Sequence, residues 1–579
     1  MRESTSTISF SHITYEQIAG ALLGAAVGDA LGWPYEQNAA RVGPRVEPAP
    51  DDTYQGWRRR IGGRFGTHEL AIQPGAYSDD TQLILATARA LLTTPKWGTY
   101  LSNHELPLWL LYQRGGGGAT KRAAESWLRH EAPWTNSKLA HRYYQAGGNG
   151  VAMRILPHLF VPGQSAPQLM RDVLRNGILT HGHPRALLGA RLYALAGWWV
   201  AQQRREILFG ELVTAMLAQE EIWAQPPEQQ NSQETNSRGW LESADQYFPN
   251  GYLETWHGVV GEIREGLRYC ERALAEGILA NHEEHLRRLG CFSRENGSGV
   301  VAALAAIYLF SAHASNPMAG LRTIVYARGT DTDTIASMVG GLFGLSHRIE
   351  WIPDQLRRVQ DHALLEHIAQ RFASSELGNQ PPPDKRWHES DAKLVTEQLR
   401  QGATQVWLGA LGAAHVTHQR PLLALKHGSP GREWELTTEA GQTVYITYTP
   451  RGDASRSEVR RRSAENEEKL QARANSPMSQ QRTLNDIDDL FPEPMPSDSA
   501  GSDSTLELNP AAAAATLEKL AELLGDEVSA RSALLLATHI LRTPPMSIAE
   551  AHALVDRYLP NLTNAQRKAC LKVVERIVG

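Results

Sequence analysis

Apolar residues recur at three- and four-residue spacing through most of the chain up to about Leu377. The runs TQLILATARALL, PRALLGARLYALAGWWV and SGVVAALAAIYLF carry this spacing or are apolar on every face, as amphipathic and buried helices are. Period-two alternation is scarce over the same span, and Gly- and Pro-rich connectors separate the runs. The pattern predicts a large, mainly α domain over residues 1–378. Its most apolar stretches, Leu187–Val200 and Gly299–Ala312, are too short to cross a bilayer and read as buried helices. Two insertions interrupt it. Asn38–Ala76 reads as a loop with an arginine cluster, Arg58–Arg60, and Ala224–Asn236 as a polar surface loop.

The periodicity changes after ELGNQPPPDKRWHESD. Three consecutive prolines there favour extended backbone, so residues 379–392 read as a linker. VWLGALGAAHV, EWELTTEA and TVYITYTP then read as strands separated by turn residues, which predicts a small β-rich module over 393–450. Residues 451–510 are rich in Ser, Arg, Asp and Pro and poor in bulky apolar side chains, the composition of a disordered linker. Residues 511–579 are helical again in pattern and predict a small helical module. On this division a chain ending near Asp391 should fold by itself.

Composition adds limits. A chain of 579 residues is too long for one compact core. The 58 basic and 63 acidic side chains leave a formal charge of −5, which argues against an overall nucleic-acid footprint. The basic stretch Arg451–Arg462 leaves a local nucleic-acid contact open, but it falls in the polar linker and reads as solvated. Cys270, Cys291 and Cys570 have neither metal-ligand spacing nor a disulfide framework, and the N-terminal stretch has no apolar signal core. A reducing, cytoplasmic setting with no membrane partner is the expectation.

Several short motifs carry chemistry. GAYSDDT ends on Ser78, Asp79, Asp80 and Thr81 just before a helical run, and RGTDTDTIA places Asp331 and Asp333 among threonines before another. Each cluster alone is explained by helix capping. Together they form an oxygen-rich set suited to Mg²⁺ or Mn²⁺, in which a carboxylate can bridge two ions. GALLGAAVGDALG sets glycines four residues apart, Gly20 to Gly32, on one helix face and predicts close helix packing; Glu36 follows shortly after it. In QAGGNGVAMR, Gly147, Gly148 and Gly150 permit a loop whose amides approach phosphates, or a simple turn. His181 and His183 lack a third soft ligand at zinc spacing and read as pocket-lining or capping residues. Arg114 to Gly118 reads as a flexible loop.

Taken together, GALLGAAVGDALG, YSDDTQLILA, GGNGVAMRILP, THGHPRALLGA and RGTDTDTIASMVGGLFG resemble the ADP-ribosylglycohydrolase family, over about Tyr15 to Ile352. The resemblance implies a large orthogonal α-helical domain with a site for two Mg²⁺ or Mn²⁺ ions, held by Ser78, Asp79, Asp80, Asp331, Asp333 and Thr334. It implies Glu36 and Asp80 as catalytic carboxylates. It assigns Gly147, Gly148, Asn149, Gly150, Val151 and His181 to ADP-ribose. The implied activity is hydrolysis of the bond between ADP-ribose and a modified protein side chain such as arginine. Serine, a nucleic-acid base or a small molecule as acceptor is the alternative, and a non-catalytic ADP-ribose-binding or structural protein a further one. The implied partner is an ADP-ribosylated protein, with the C-terminal modules available to another.

Overall fold

The computed structural model describes residues 13–36, 53–61, 68–227, 237–378, 385–424 and 430–450. The predicted linker 451–510 and helical module 511–579 lie outside the described residues, as do residues 228–236 of the polar insertion and 379–384 of the proline-rich boundary.

The fold is mainly α. Its axis is a pair of helices, α1 (Tyr15–Gly32) and the distant Thr332–His347. Thr14 and Gln17 start α1 with a capping box, which satisfies two of its free amides. The glycine stripe then does what the sequence predicts. A Cβ added at Gly24 would stand 2.3 Å from the Gly340 carbonyl oxygen, and one at Gly28 would stand 2.1 Å from that of Ala336. Gly340 and Gly344 reciprocate against the carbonyls of Gly24 and Gly20. The two backbones therefore touch, and only glycine permits it. The helices run antiparallel, so the C-terminal end of α1 lies beside Thr332, whose hydroxyl donates to the Gly32 carbonyl at 2.7 Å.

Three further helices frame this pair: α2 (Asp79–Thr93), α3 (Pro184–Gln202) and α4 (Gly299–Ala312); the Thr332–His347 helix is α5. α3 and α4 contain the two apolar stretches noted in the sequence, and both are buried along nearly their whole length. Among the described residues no helix is long and apolar enough to cross a membrane. Cys270 and Cys291 are buried free thiols; Cys570 lies outside the described residues.

The insertion Asn38–Ala76 is not simply a loop. It contributes two paired strands, β1 (Trp57–Ile61) and β2 (His68–Ile72). Past the proline-rich segment, a helix α6 (Glu389–Arg400) precedes β3 (Gln405–Trp407), β4 (Ala413–Ala424), β5 (Gly431–Thr438) and β6 (Thr443–Tyr448). The predicted strand VWLGALGAAHV is in fact two strands joined by a turn, with Gly409 and Gly412 at positive φ.

All six strands form one antiparallel sheet, ordered β1-β2-β4-β5-β6, with β3 also pairing to β4. β2 joins β4 through His68↔Ala424 and Glu69↔Leu423. Beneath that joint Trp33, Trp57, Leu70, Ile72, Ala76 and Leu422 form a small core of their own. The sheet thus crosses the predicted boundary at 379–392: strands from within residues 1–378 and strands from within 393–450 share backbone hydrogen bonds. The alternation in WRRRI was concealed in the sequence by its three arginines, because only Trp57, Arg59 and Ile61 turn inward to any degree.

Candidate active site

Three chain segments meet at one end of the α1–α5 pair: Trp33 to Glu36, the start of α2, and the start of α5. Asp29, near the end of α1, builds the junction. Its buried carboxylate accepts from the Ser78 amide at 2.9 Å, the Thr81 amide at 3.0 Å and the Thr81 hydroxyl at 2.6 Å. A side chain from one helix thereby satisfies free amides at the N-terminus of another. Ser78 supplies the cap itself, its hydroxyl accepting from the Asp80 amide at 3.2 Å.

Capping accounts for Ser78 but not for Asp331. Asp331 occupies the N-cap position of α5, yet its side chain makes no cap hydrogen bond. Its carboxylate instead accepts from Asn149 Nδ2 at 2.9 Å, in the glycine-rich loop. Between the two clusters, Thr334 Oγ1 donates to Asp80 Oδ2 at 3.4 Å across 254 residues of sequence. The two acidic motifs therefore share one site.

The site is acidic and buried. Asp79, Asp80 and Asp333 are all buried. Burial raises the pKa of each, and neighbouring carboxylates raise it further: Asp29 and Glu36 act on Asp79, Asp29, Asp79 and Asp331 on Asp80, and Glu36, Asp331 and Asp80 on Asp333. Asp79 is pushed up to about 7, with Arg59 of β1 pulling the other way. Asp80 Oδ1 is buried with no hydrogen-bond partner. An ionised carboxylate in that position is costly without a cation. The donors available are all oxygen, which suits a hard divalent ion better than zinc. Among the described residues no three His, Cys, Asp or Glu side chains converge closely enough to grip an ion by themselves; the Ser78 and Thr334 hydroxyls stand beside Asp80 as further oxygen donors.

The glycine-rich loop lies against the start of α4. The Asn149 amide donates to the Gly297 carbonyl at 2.8 Å, and the Gly299 amide to that of Gly147 at 3.0 Å; Gly148 bridges to Ser298. Beneath the loop lies Arg154, fully buried. It donates to the Gly150 carbonyl, to the Asn176 side chain and carbonyl, and to Thr180 Oγ1, all within 2.8–2.9 Å. Burial lowers its pKa to about 9. Of the residues assigned to ADP-ribose, His181 is buried below Gly150 and bonded to Thr180 Oγ1 at 2.7 Å, with its pKa pushed down to about 3 by burial and the charges of Arg154 and Arg122. Val151 is buried as well, packed toward Gly177. Both support the loop from below. His183 is a cap, its Nδ1 accepting from the Arg185 amide at 3.1 Å.

Residues 11–382 match the family model described as ADP-ribosylglycohydrolase. The chain belongs to the ADP-ribosylglycohydrolase family. Over 172 residues it is 31% identical to the ADP-ribosyl-[dinitrogen reductase] glycohydrolase of Rhodospirillum rubrum, covering 29% of this chain and 53% of that protein. It is 23% identical over 180 residues to the ADP-ribosylarginine hydrolase Tri1 of Serratia proteamaculans, covering 30% and 44%. The chain thus spans about half the length of the curated relatives it matches. A solved ADP-ribosylglycohydrolase-related protein complex aligns with 62% of this chain and 98% of its own, at 19% identity and a TM-score of 0.37.

Three further residues that shape this site do not stand out in the sequence. Asp29 is the one acid beyond the first turn of an otherwise small and apolar helix, a signal the glycine spacing overshadows. Arg154 closes the glycine-loop motif, and nothing in the local sequence marks it as buried beneath the loop. Gly115 lies at φ 104°, where an added Cβ would stand 2.7 Å from Asp79 Oδ1. The Arg114–Gly118 run is thus not merely a flexible loop: its glycine makes room for a site carboxylate.

Proposed function

We propose that the chain is a divalent-cation-dependent hydrolase that releases ADP-ribose from a modified protein, with arginine as the acceptor. The contact between Thr334 and Asp80 carries this reading, because it joins the two acidic motifs into one oxygen-lined site. The relatives named for arginine-linked and dinitrogen-reductase-linked ADP-ribose support the choice of acceptor.

Ser78, Asp79, Asp80, Asp331, Asp333 and Thr334 would hold two Mg²⁺ or Mn²⁺ ions, which when bound supply fixed anchoring for ribose hydroxyls and a lowered pKa for water. The chain's own residues do the rest. Asn149 ties Asp331 to the glycine loop, so the acidic site and the loop keep a fixed distance. Gly147, Gly148 and Gly150 leave that loop without side-chain bulk, which lets a diphosphate approach its backbone. Glu36 is near enough to both clusters for its charge to raise Asp79 and Asp333. A carboxylate there stabilises the positive charge that develops at the anomeric carbon as the glycosidic bond breaks. Asp80, with its free buried oxygen, orients the attacking water. Water adds to the anomeric carbon, and its proton leaves with the acceptor nitrogen.

A release assay on arginine-, serine- and base-linked ADP-ribose, with and without Mg²⁺, tests the reading. Arginine-linked substrate should turn over only with the cation. Asp80→Ala and Asp333→Ala should each lower turnover by at least about 100-fold while far-ultraviolet circular dichroism keeps its helical form. Unchanged turnover in both variants would reject the site, and preference for another linkage would reject arginine.

A further inference from the structure

The family match ends at residue 382, yet the strands beyond it reach back to the turn that carries Ser78, Asp79 and Asp80. Two routes lead there. On one side Tyr77, directly before Ser78, donates its hydroxyl to Asp361 Oδ2 at 2.6 Å, and the same oxygen accepts from the Thr443 amide of β6 at 2.9 Å. On the other side Gly115 packs against the Asp79 carboxylate, and its neighbour Arg114 is fixed from both ends. The Arg114 amide donates to Gln82 Oε1 of α2 at 3.2 Å, an oxygen that also accepts from Trp109 Nε1. The Arg114 guanidinium donates to Glu433 of β5 at 2.8 Å and lies 3.5 Å from the ring centroid of Tyr445 of β6.

Arg114 and Glu433 are both almost fully buried, with side-chain exposures of 4% and 1%. Arg114 Nε and Nη1 have no hydrogen-bond partner, and the π-face of Tyr445 takes their place. A buried ion pair is a weak source of stability, since desolvation offsets much of its attraction. Its geometric effect is more specific. The guanidinium has one bonded carboxylate and one ring to sit on, so Arg114 has one position. Gly115 follows Arg114, and Asp79 packs against Gly115.

Resting on the hydrolase reading above, we propose that Glu433 and Tyr445 are positioning residues: through Arg114 and Gly115 they set the place of the Asp79 carboxylate, so the strands beyond the family match are part of the catalytic body. A merely structural sheet would lose stability on mutation without any particular effect on the site.

The experiment uses the full chain and four proteins: wild type, Glu433→Gln, Tyr445→Leu and Leu436→Ala. Leu436 lies on the same strand, buried in register with Val416 and Val444 rather than in the Arg114 pair, and controls for general weakening of the sheet. Turnover of ADP-ribosylated arginine and calorimetric binding of ADP-ribose are measured on each, with thermal melting as the check on folding. Glu433→Gln and Tyr445→Leu should each lower kcat by at least about tenfold with KM changed less than about threefold, as expected when groups are displaced from reactive geometry. Leu436→Ala should melt lower but keep wild-type kcat. Tyr445→Leu keeps the ion pair, so it carries the test if Glu433→Gln does not fold. Wild-type kcat in a folded Glu433→Gln or Tyr445→Leu overturns the proposal, as does an equal loss of kcat in Leu436→Ala. A wild-type chain that neither binds nor releases ADP-ribose overturns instead the hydrolase reading on which it rests.

Discussion

Single side chains decide the site. Asp29 makes three hydrogen bonds to the first turn of α2, and no other group among the described residues is bonded to the Ser78 and Thr81 amides in its place. Asp29→Ala would strand two buried amides, and a hydrogen bond to a charged group contributes about 1.5–3 kcal/mol. The substitution should cost about 2–4 kcal/mol of stability in urea denaturation and lower turnover along with it. A variant with wild-type stability would mean that water or another side chain caps α2 equally well. Residue identity made this site partly legible in advance. The two Asp clusters, Glu36 and Asn149 stand out as polar groups where helices begin or end. His181 and Val151 did not reveal that they lie under the loop, because burial depends on what packs above them and not on their own type.

At the scale of elements, the close approach of α1 and α5 places both acidic motifs. Gly28 faces the Ala336 carbonyl at a distance no Cβ tolerates. Gly28→Val should force the helices apart and cost at least about 3 kcal/mol, the upper range for overpacking. Thermal melting and soluble yield will register it; a variant that melts like wild type would show that the helix pair has slack. Four-residue glycine spacing made this packing readable, and the apolar runs made α3 and α4 readable. The β1–β2 hairpin was not, since arginines occupy its alternating positions and its pairing partner lies some hundreds of residues away. Sheet pairing at that range is a property of tertiary structure that local pattern cannot encode.

Among the described residues a helical body and a sheet share one site wall. A division at 379–392 follows from composition, yet β2 pairs with β4 across it and Arg114 pairs with Glu433 across it. A chain cut near Asp391 would lose the strand that pairs with β2 and the Glu433 and Tyr445 side chains that hold and cover Arg114, so it should melt below the full chain rather than fold as an independent α domain.

The central claim is that two motifs far apart in sequence make one cation site, and calorimetric titration with Mg²⁺ tests it most directly. Burial and mutual repulsion raise the pKa values of Asp79, Asp80 and Asp333. A folded-state carboxylate pKa above the unfolded value favours the protonated form, and a cation must displace that proton. Affinity should therefore rise with pH, most steeply toward the value of about 7 held by Asp79, and be stronger at pH 8 than at pH 5.5. Asp80→Ala and Asp333→Ala should each abolish binding at pH 8. Mg²⁺ held undiminished by either variant, or bound more tightly at pH 5.5 than at pH 8, would contradict the account.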